Sequence, residues 1–252
     1  MLNVKLGKKA ARSDPRTLRL EKYIKFGILP PPPASSSWTP KVKTWGMMKN
    51  DVIGNCAIAG TGHLVEVWTA NEAGSEVVIP DAQIVAAYSA ISGYNPKTGA
   101  HDDGCVLIDV LNYWRSKGVG GHKIGSYMQV DPHNHTFVED AVYLFGGAYI
   151  GLQLPISAQS QTGAGKTWSV PKQGLKGNGA PGSWGGHCVD LFSYDQAGLT
   201  CCTWGALQKM SWQFLDAYCD ELFAVLSPDW VSKGRSPNGF NMAQLQTDLA
   251  GL

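Results

Sequence analysis

Residues 50–68, NDVIGNCAIAGTGHLVEVW, place a cysteine directly behind Gly54-Asn55, at the head of a run whose Ala57, Thr61, Leu64, Val65 and Trp68 recur at helical spacing. Asn55 is a residue type that caps helix N-termini, so the pattern predicts an amphipathic helix with Cys56 in its first turn. Two physical tendencies then compete. A free cysteine is among the most buried residue types, and from this stretch alone a packed thiol is the favoured reading. The first turn of a helix, however, offers unpaired N–H groups and the positive end of the helix dipole, which stabilise thiolate over thiol. A base elsewhere in the chain has to decide between them.

Six histidines compete for that role. His63 lies seven residues along the same helix, about 10 Å away at 1.5 Å per residue, and cannot touch the sulfur. His101, His122, His133 and His135 sit in polar or glycine-rich turns and read as surface residues. His187 differs. The stretch 159–186 is mostly Gly, Ser, Pro, Lys and Thr and ends in Gly182-Ser183-Trp184-Gly185-Gly186, which runs straight into the β-rich HCVDLFSY. A loop therefore delivers a histidine onto a strand.

Around these two anchors the order is a helical first half followed by a β-rich second half. Further helices are expected over 81–91, 106–116 and 136–145, and strands over 148–157, 187–194, 199–205 and 223–227, with a hairpin turn at 195–198. Residues 1–36 stand apart. They hold a basic stretch, Pro30–Pro33 and Ser35–Ser37, a composition that favours an extended arm held by its own body or by a neighbouring subunit. The expected organisation is an arm over 1–36 and one domain over 37–252, mainly helical to 145 and mainly β from 146.

Composition narrows the function classes. The net charge of +1 hides eight Lys or Arg against Asp14 and Glu21 within residues 1–26, so the remainder is acidic. A broad nucleic-acid footprint is therefore not expected, although the arm could touch phosphates. No segment reaches the roughly 18 apolar residues of a membrane span, and no apolar stretch follows the basic start as in a signal peptide. The six cysteines are expected as reduced thiols, in the cytoplasm or, for a phage-encoded chain, in a virion. Metal-ligand spacing is poor, since Cys201 and Cys202 are adjacent and no C-x-x-C occurs. Asp102-Asp103 reads as a solvated turn. No phosphate-binding glycine pattern is present, so neither metal nor organic cofactor is expected.

The residues also carry a resemblance. Lys49-Asn50-Asp51 followed by Gly54-Asn55-Cys56-Ala57 is similar to a shortened form of the cysteine signature of the papain-like cysteine peptidases. Gly186-His187-Cys188-Val189 with Tyr194 resembles their histidine signature, and Cys202-Thr203-Trp204-Gly205 their "NSWG". The resemblance covers about Trp45 to Ser227. It implies an α+β fold in which a helical N-terminal lobe, carrying the cysteine helix, packs against a β-rich C-terminal lobe. It further implies Cys56 as nucleophile and His187 as base.

Two departures concern catalysis. The family's asparagine, which orients the histidine, falls on Cys202, a poor acceptor. Thr203 or a backbone carbonyl is the candidate to replace it. Asp190, three residues beyond His187 on a strand, would point to the opposite face. The family's oxyanion-binding glutamine falls near Asn50 and Asp51. Asn50 is preferred because an ionised Asp51 would repel a developing oxyanion. The resemblance implies a cysteine hydrolase of peptide or amide bonds. The alternative is a non-catalytic papain-like scaffold serving as a structural or decoration component of a phage particle or other large assembly, its arm contacting a neighbour.

Overall fold

A computed structural model describes residues 4–24 and 30–241. The rest, Lys25 of the basic arm among them, lie outside the described residues. The chain begins with β1 (Leu18–Arg19), α1 (Leu20–Ile24) and β2 (Ser36–Ser37), then builds α2 (Cys56–Glu72), α3 (Asp81–Ser92), α4 (Leu107–Ser116), β3 (Ser126–Gln129) and α5 (His135–Phe145). The second half carries β4 (Ala148–Leu154), α6 (Ile156–Gly163), β5 (Gly185–Asp195), β6 (Gly198–Thr203), β7 (Ala206–Met210), α7 (Trp212–Tyr218) and β8 (Cys219–Leu226). The strands form one eight-stranded sheet in the order β1-β3-β8-β4-β5-β6-β7, with β2 added against β5. Among the strand pairs of the described residues, β1–β3 is parallel and the rest are antiparallel. The architecture is α+β: α2 to α4 precede the sheet's main strands in the chain, α2 packs on β5 and β6, and α3 and α4 pack on α2 and on each other.

Local chemistry explains the better-marked elements. Asn134 caps α5 by accepting the Phe137 N–H, and Gly146 ends it at φ 73°. Asp195 Oδ1 accepts the N–H groups of Ala197 and Gly198, which makes the β5–β6 turn. Besides β1, α1 and β2 within the expected extended arm, α6, β3, β7 and α7 escape a pattern reading. The segment ISAQSQTG of α6 buries only Ala158, so it shows no apolar stripe. Short β3, β7 and α7 are fixed by sheet pairing and by the Ser211 cap.

Helix α2 departs from expectation more instructively. Every residue from Cys56 to Asn71 is buried, so the helix is a central rod and not an amphipathic surface helix. Asn55 stands at the N-cap position but does not cap. Its Nδ2 donates instead to the Met48 carbonyl at 2.7 Å, pinning a turn in which Met48 and Lys49 both adopt left-handed φ values of 52° and 64°. The basic arm also departs from a purely extended form, because Leu20 is fully buried in the core.

Three ionisable side chains lie inside this packing. His63 Nε2–H donates to the Gly46 carbonyl at 2.7 Å, and its Nδ1 is 3.9 Å from Asp190 Oδ2. The carboxyl oxygens of Glu66 and Asp190 are buried. Burial pushes Glu66 up to about 8 and Asp190 well above the carboxylate range, and lowers His63 to about 4. All three shifts favour the neutral form. Between the ordinary Glu value of 4.5 and about 8 the folded chain keeps a proton that the unfolded chain releases, so stability falls as pH rises through that window. Glu66→Gln removes this titration. Urea melts at pH 5 and pH 8 are expected to show a loss between the two pH values that is smaller in the variant by about 2 kcal/mol. An identical loss in both proteins would show that Glu66 is ionised in the fold.

Candidate active site

Cys56 is the first residue of α2, and two contacts fix the turn that delivers it. Besides the Asn55 bond, the Gly54 N–H donates to Asp102 Oδ1 at 2.8 Å, and the same oxygen accepts the Tyr88 hydroxyl at 2.8 Å. Asp102 is thus a structural tether rather than part of a solvated turn. From β5, the Cys188 N–H points at Cys56 Sγ at 3.4 Å, so the head of the helix meets the strand that carries His187.

His187 lies on β5 opposite Leu152 of β4 and is buried. Its Nε2 is 2.7 Å from Thr203 Oγ1, and its Nδ1 has no hydrogen-bond partner among the described residues. With Nε2–H donating to the hydroxyl, Nδ1 carries a free lone pair, the form a general base requires. Thr203 can do this where Cys202 cannot because neighbouring strand residues face opposite ways. Cys202 pairs with Asp190 in the ladder, and its side chain is buried in the core. Trp204 stacks on the imidazole with ring centroids 4.4 Å apart and planes 17° from parallel. Asn50 is buried six positions before Cys56, and one of its amide hydrogens is donated to Ile53 O at 3.3 Å, which leaves the other.

The cleft is not open. Residues 5–9 run through it as main chain, with hydrogen bonds from Lys5 N to Asn50 O (3.2 Å), Lys8 N to Gly186 O (3.0 Å), Lys9 N to Cys105 O (2.9 Å) and Cys105 N to Gly7 O (2.8 Å). The Gly7 N–H faces the Cys56 sulfur. Trp204 Nε1 donates to Lys5 O at 3.1 Å. This passage is possible only because its walls lack β-carbons. A β-carbon on Gly7 would fall on the Gly54 carbonyl, one on Gly104 (φ 76°) on the Gly7 carbonyl, and one on Gly186 on the Lys8 carbonyl.

Enclosure sets the charge state. Burial pushes the Cys56 thiol up to about 11, against the facing N–H groups of Cys188, Gly7 and Ala57 that favour thiolate. Burial, and then His63, lower His187 to about 3. In this covered state burial favours the neutral form of both the Cys56 thiol and the His187 imidazole. The dipole argument for a thiolate is outweighed here by desolvation.

Other sequence-marked residues divide. Cys105, Cys188, Cys201, Cys202 and Cys219 are buried free thiols. His122 and His135 are not simple surface residues: His122 Nδ1 is 2.8 Å from Asp229, and His135 Nε2 is 2.7 Å from Asp216 while its ring stacks on Trp212. Among the described residues no cluster of three or more His, Cys, Asp and Glu could hold a metal ion. Pattern reading missed Gly7, Lys8 and Asp102, because none of them stands near Cys56 or His187 in sequence. The only signal was the glycine at position 7 within an otherwise basic stretch.

No known protein-family description matches the chain, and no curated protein matches it in sequence. Solved structures do resemble it. Xylellain, a cysteine protease from Xylella fastidiosa, superposes with a TM-score of 0.62 over 89% of this chain and 96% of its own, at 13% identity. Procathepsin B S9 from Trypanosoma congolense gives 0.59 over 88% and 86% at 9% identity. Digestive procathepsin L 3 from Tenebrio molitor larval midgut gives 0.56 over 89% and 76% at 12% identity. With a cysteine heading the central helix and a histidine on the facing strand, the chain has the papain-like fold.

Proposed function

We propose that the chain is a cysteine hydrolase of peptide or amide bonds, kept covered by its own residues 5–9. The observation that carries this reading is the His187–Thr203 hydrogen bond at 2.7 Å, which supplies the orienting partner that the sequence had left vacant at Cys202. Once the cleft is cleared, His187 Nδ1 takes the Cys56 proton and the sulfur attacks the carbonyl carbon. The oxyanion so formed is held by the Cys56 N–H and by the spare Asn50 amide hydrogen. The imidazolium then returns the proton to the leaving amine as the C–N bond breaks. Water, deprotonated by His187, hydrolyses the thioester and frees Cys56.

The filled cleft and the burial that keeps Cys56 and His187 neutral also support the rival scaffold reading, so the tests must start by opening the site. Gly7→Leu places a side chain where only hydrogen fits and should expel the segment. Limiting iodoacetamide with mass-spectrometric mapping is then expected to label Cys56 at least 10-fold faster than in the parent, since re-exposure to water returns the thiol towards its ordinary value. Preferential labelling of Cys105, Cys201 or Cys219 would remove Cys56 as the nucleophile.

In that opened full-length protein, turnover of a broad panel of fluorogenic peptide and amide substrates should vanish on Cys56→Ala or His187→Ala. Thr203→Val should lower kcat by the 10- to 100-fold typical of losing the partner that orients a functional imidazole, with KM little changed. Absence of turnover from the opened protein across the whole panel would overturn the hydrolase and leave a structural or decoration role.

A further inference from the structure

The covering segment sends one side chain deep into the protein. Lys8 leaves the main chain beside the Gly7 that faces Cys56, and its side chain is fully enclosed. Nζ lies 2.8 Å from Asp220 Oδ2 and 3.1 Å from Glu221 Oε1, and it donates to the Lys9 carbonyl at 3.2 Å. Gln153 Nε2 holds the same Asp220 oxygen at 2.7 Å.

The enclosure is built by the sheet. The β4–β8 register shifts between Gly151 and Leu152, so that Gly151 pairs with Glu221 and Leu152 with Cys219. Asp220 is the extra residue, and a bulge of this kind lets two successive side chains converge on one spot. Gly151 completes the pocket. A β-carbon there would overlap Lys8 Cε and lie 2.7 Å from Glu221 Cγ, so any larger residue would close the space that the lysine stem fills. Glu221 is buried, and without a cation its carboxyl group would lie unpaired beside the Asp220 carboxylate. Burial alone would lower the Lys8 pKa, yet Glu221 and Asp220 more than reverse it, and the ammonium stays charged.

We propose that this pocket, adjoining Cys56, is the specificity pocket of the site and takes the lysine or arginine side chain of a peptide substrate when residues 5–9 move out. The substrate class rests on the hydrolase reading, whereas the binding preference does not. Lys8 is then an internal occupant of a place shaped for a basic side chain. The acidic balance of the chain beyond residue 26 favours the same partners.

The experiment uses the full-length Gly7→Leu protein, with Lys8→Leu as a second route to an open cleft that removes the anchor without crowding the main chain. The synthetic peptide VKLGKKA, matching residues 4–10, is titrated against iodoacetamide labelling of Cys56 beside a peptide with Leu at the Lys8 position. Half-protection is expected at a concentration at least 10-fold lower for the lysine peptide, and Glu221→Gln should erase the difference. In parallel, dipeptidyl coumarin amides carrying Lys, Arg, Leu or Glu at either position should show at least 10-fold higher kcat/KM for one placement of Lys or Arg. Equal protection by the two peptides, or turnover without a basic preference, overturns the pocket and leaves the hydrolase standing. Selective protection without any turnover keeps the pocket and overturns the hydrolase.

Discussion

The cleft depends on main chains approaching more closely than any β-carbon permits. Gly7 lies against Gly54 on one side and Gly104 on the other, and Gly186 meets the Lys8 carbonyl. Such contacts cost backbone entropy in the unfolded chain, and here that cost is offset by hydrogen bonds that would otherwise go to water. Every other property of the site follows from this closeness. The sulfur is dry, the imidazole is neutral, and the segment is held by its backbone at Asn50, Gly186, Cys105 and the Trp204 indole, by Leu6 packed against the core and by the Lys8 ammonium.

Charge is handled by two opposite strategies within a small region. Behind the site, His63, Glu66 and Asp190 are buried and neutral, each shifted by desolvation. At the cleft, Lys8 keeps its charge because Glu221 and Asp220 together outweigh the desolvation of the ammonium, although burial still raises Glu221 above its ordinary value against the pull of Lys8. Neutralisation suits groups that serve packing.

Much of the fold was legible because the periodic elements are long. The helix beginning at Cys56, those near 81, 107 and 135, and the strands carrying His187 and Thr203 all lie where apolar spacing and turn residues place them. Thr203 could be named only as the neighbour of the vacant position at Cys202, with a backbone carbonyl as the alternative; that it is Thr203 whose hydroxyl meets the His187 ring is visible in the structure alone. Elements whose register comes from partners were not legible: α6 has no apolar stripe, and β3 and β7 are short strands defined by pairing. The covering of Cys56 was hidden for a related reason. Nothing local in VKLGKKA marks it as a cleft strand, since its fit depends on glycines nearly 50, 100 and 180 residues away.

The route by which residues 5–9 are tethered has a kinetic consequence. A short stretch joins Lys9 to Leu18, which is hydrogen-bonded into the sheet through the parallel β1–β3 pair. A segment anchored so near its own groove has an effective local concentration in the millimolar range or above, set by tether length and independent of how much protein is present. Opening is then a unimolecular event, insensitive to dilution. A single chain break between Lys9 and Leu18 would make the same segment a diffusible ligand, and occupancy of the groove would from that moment follow mass action.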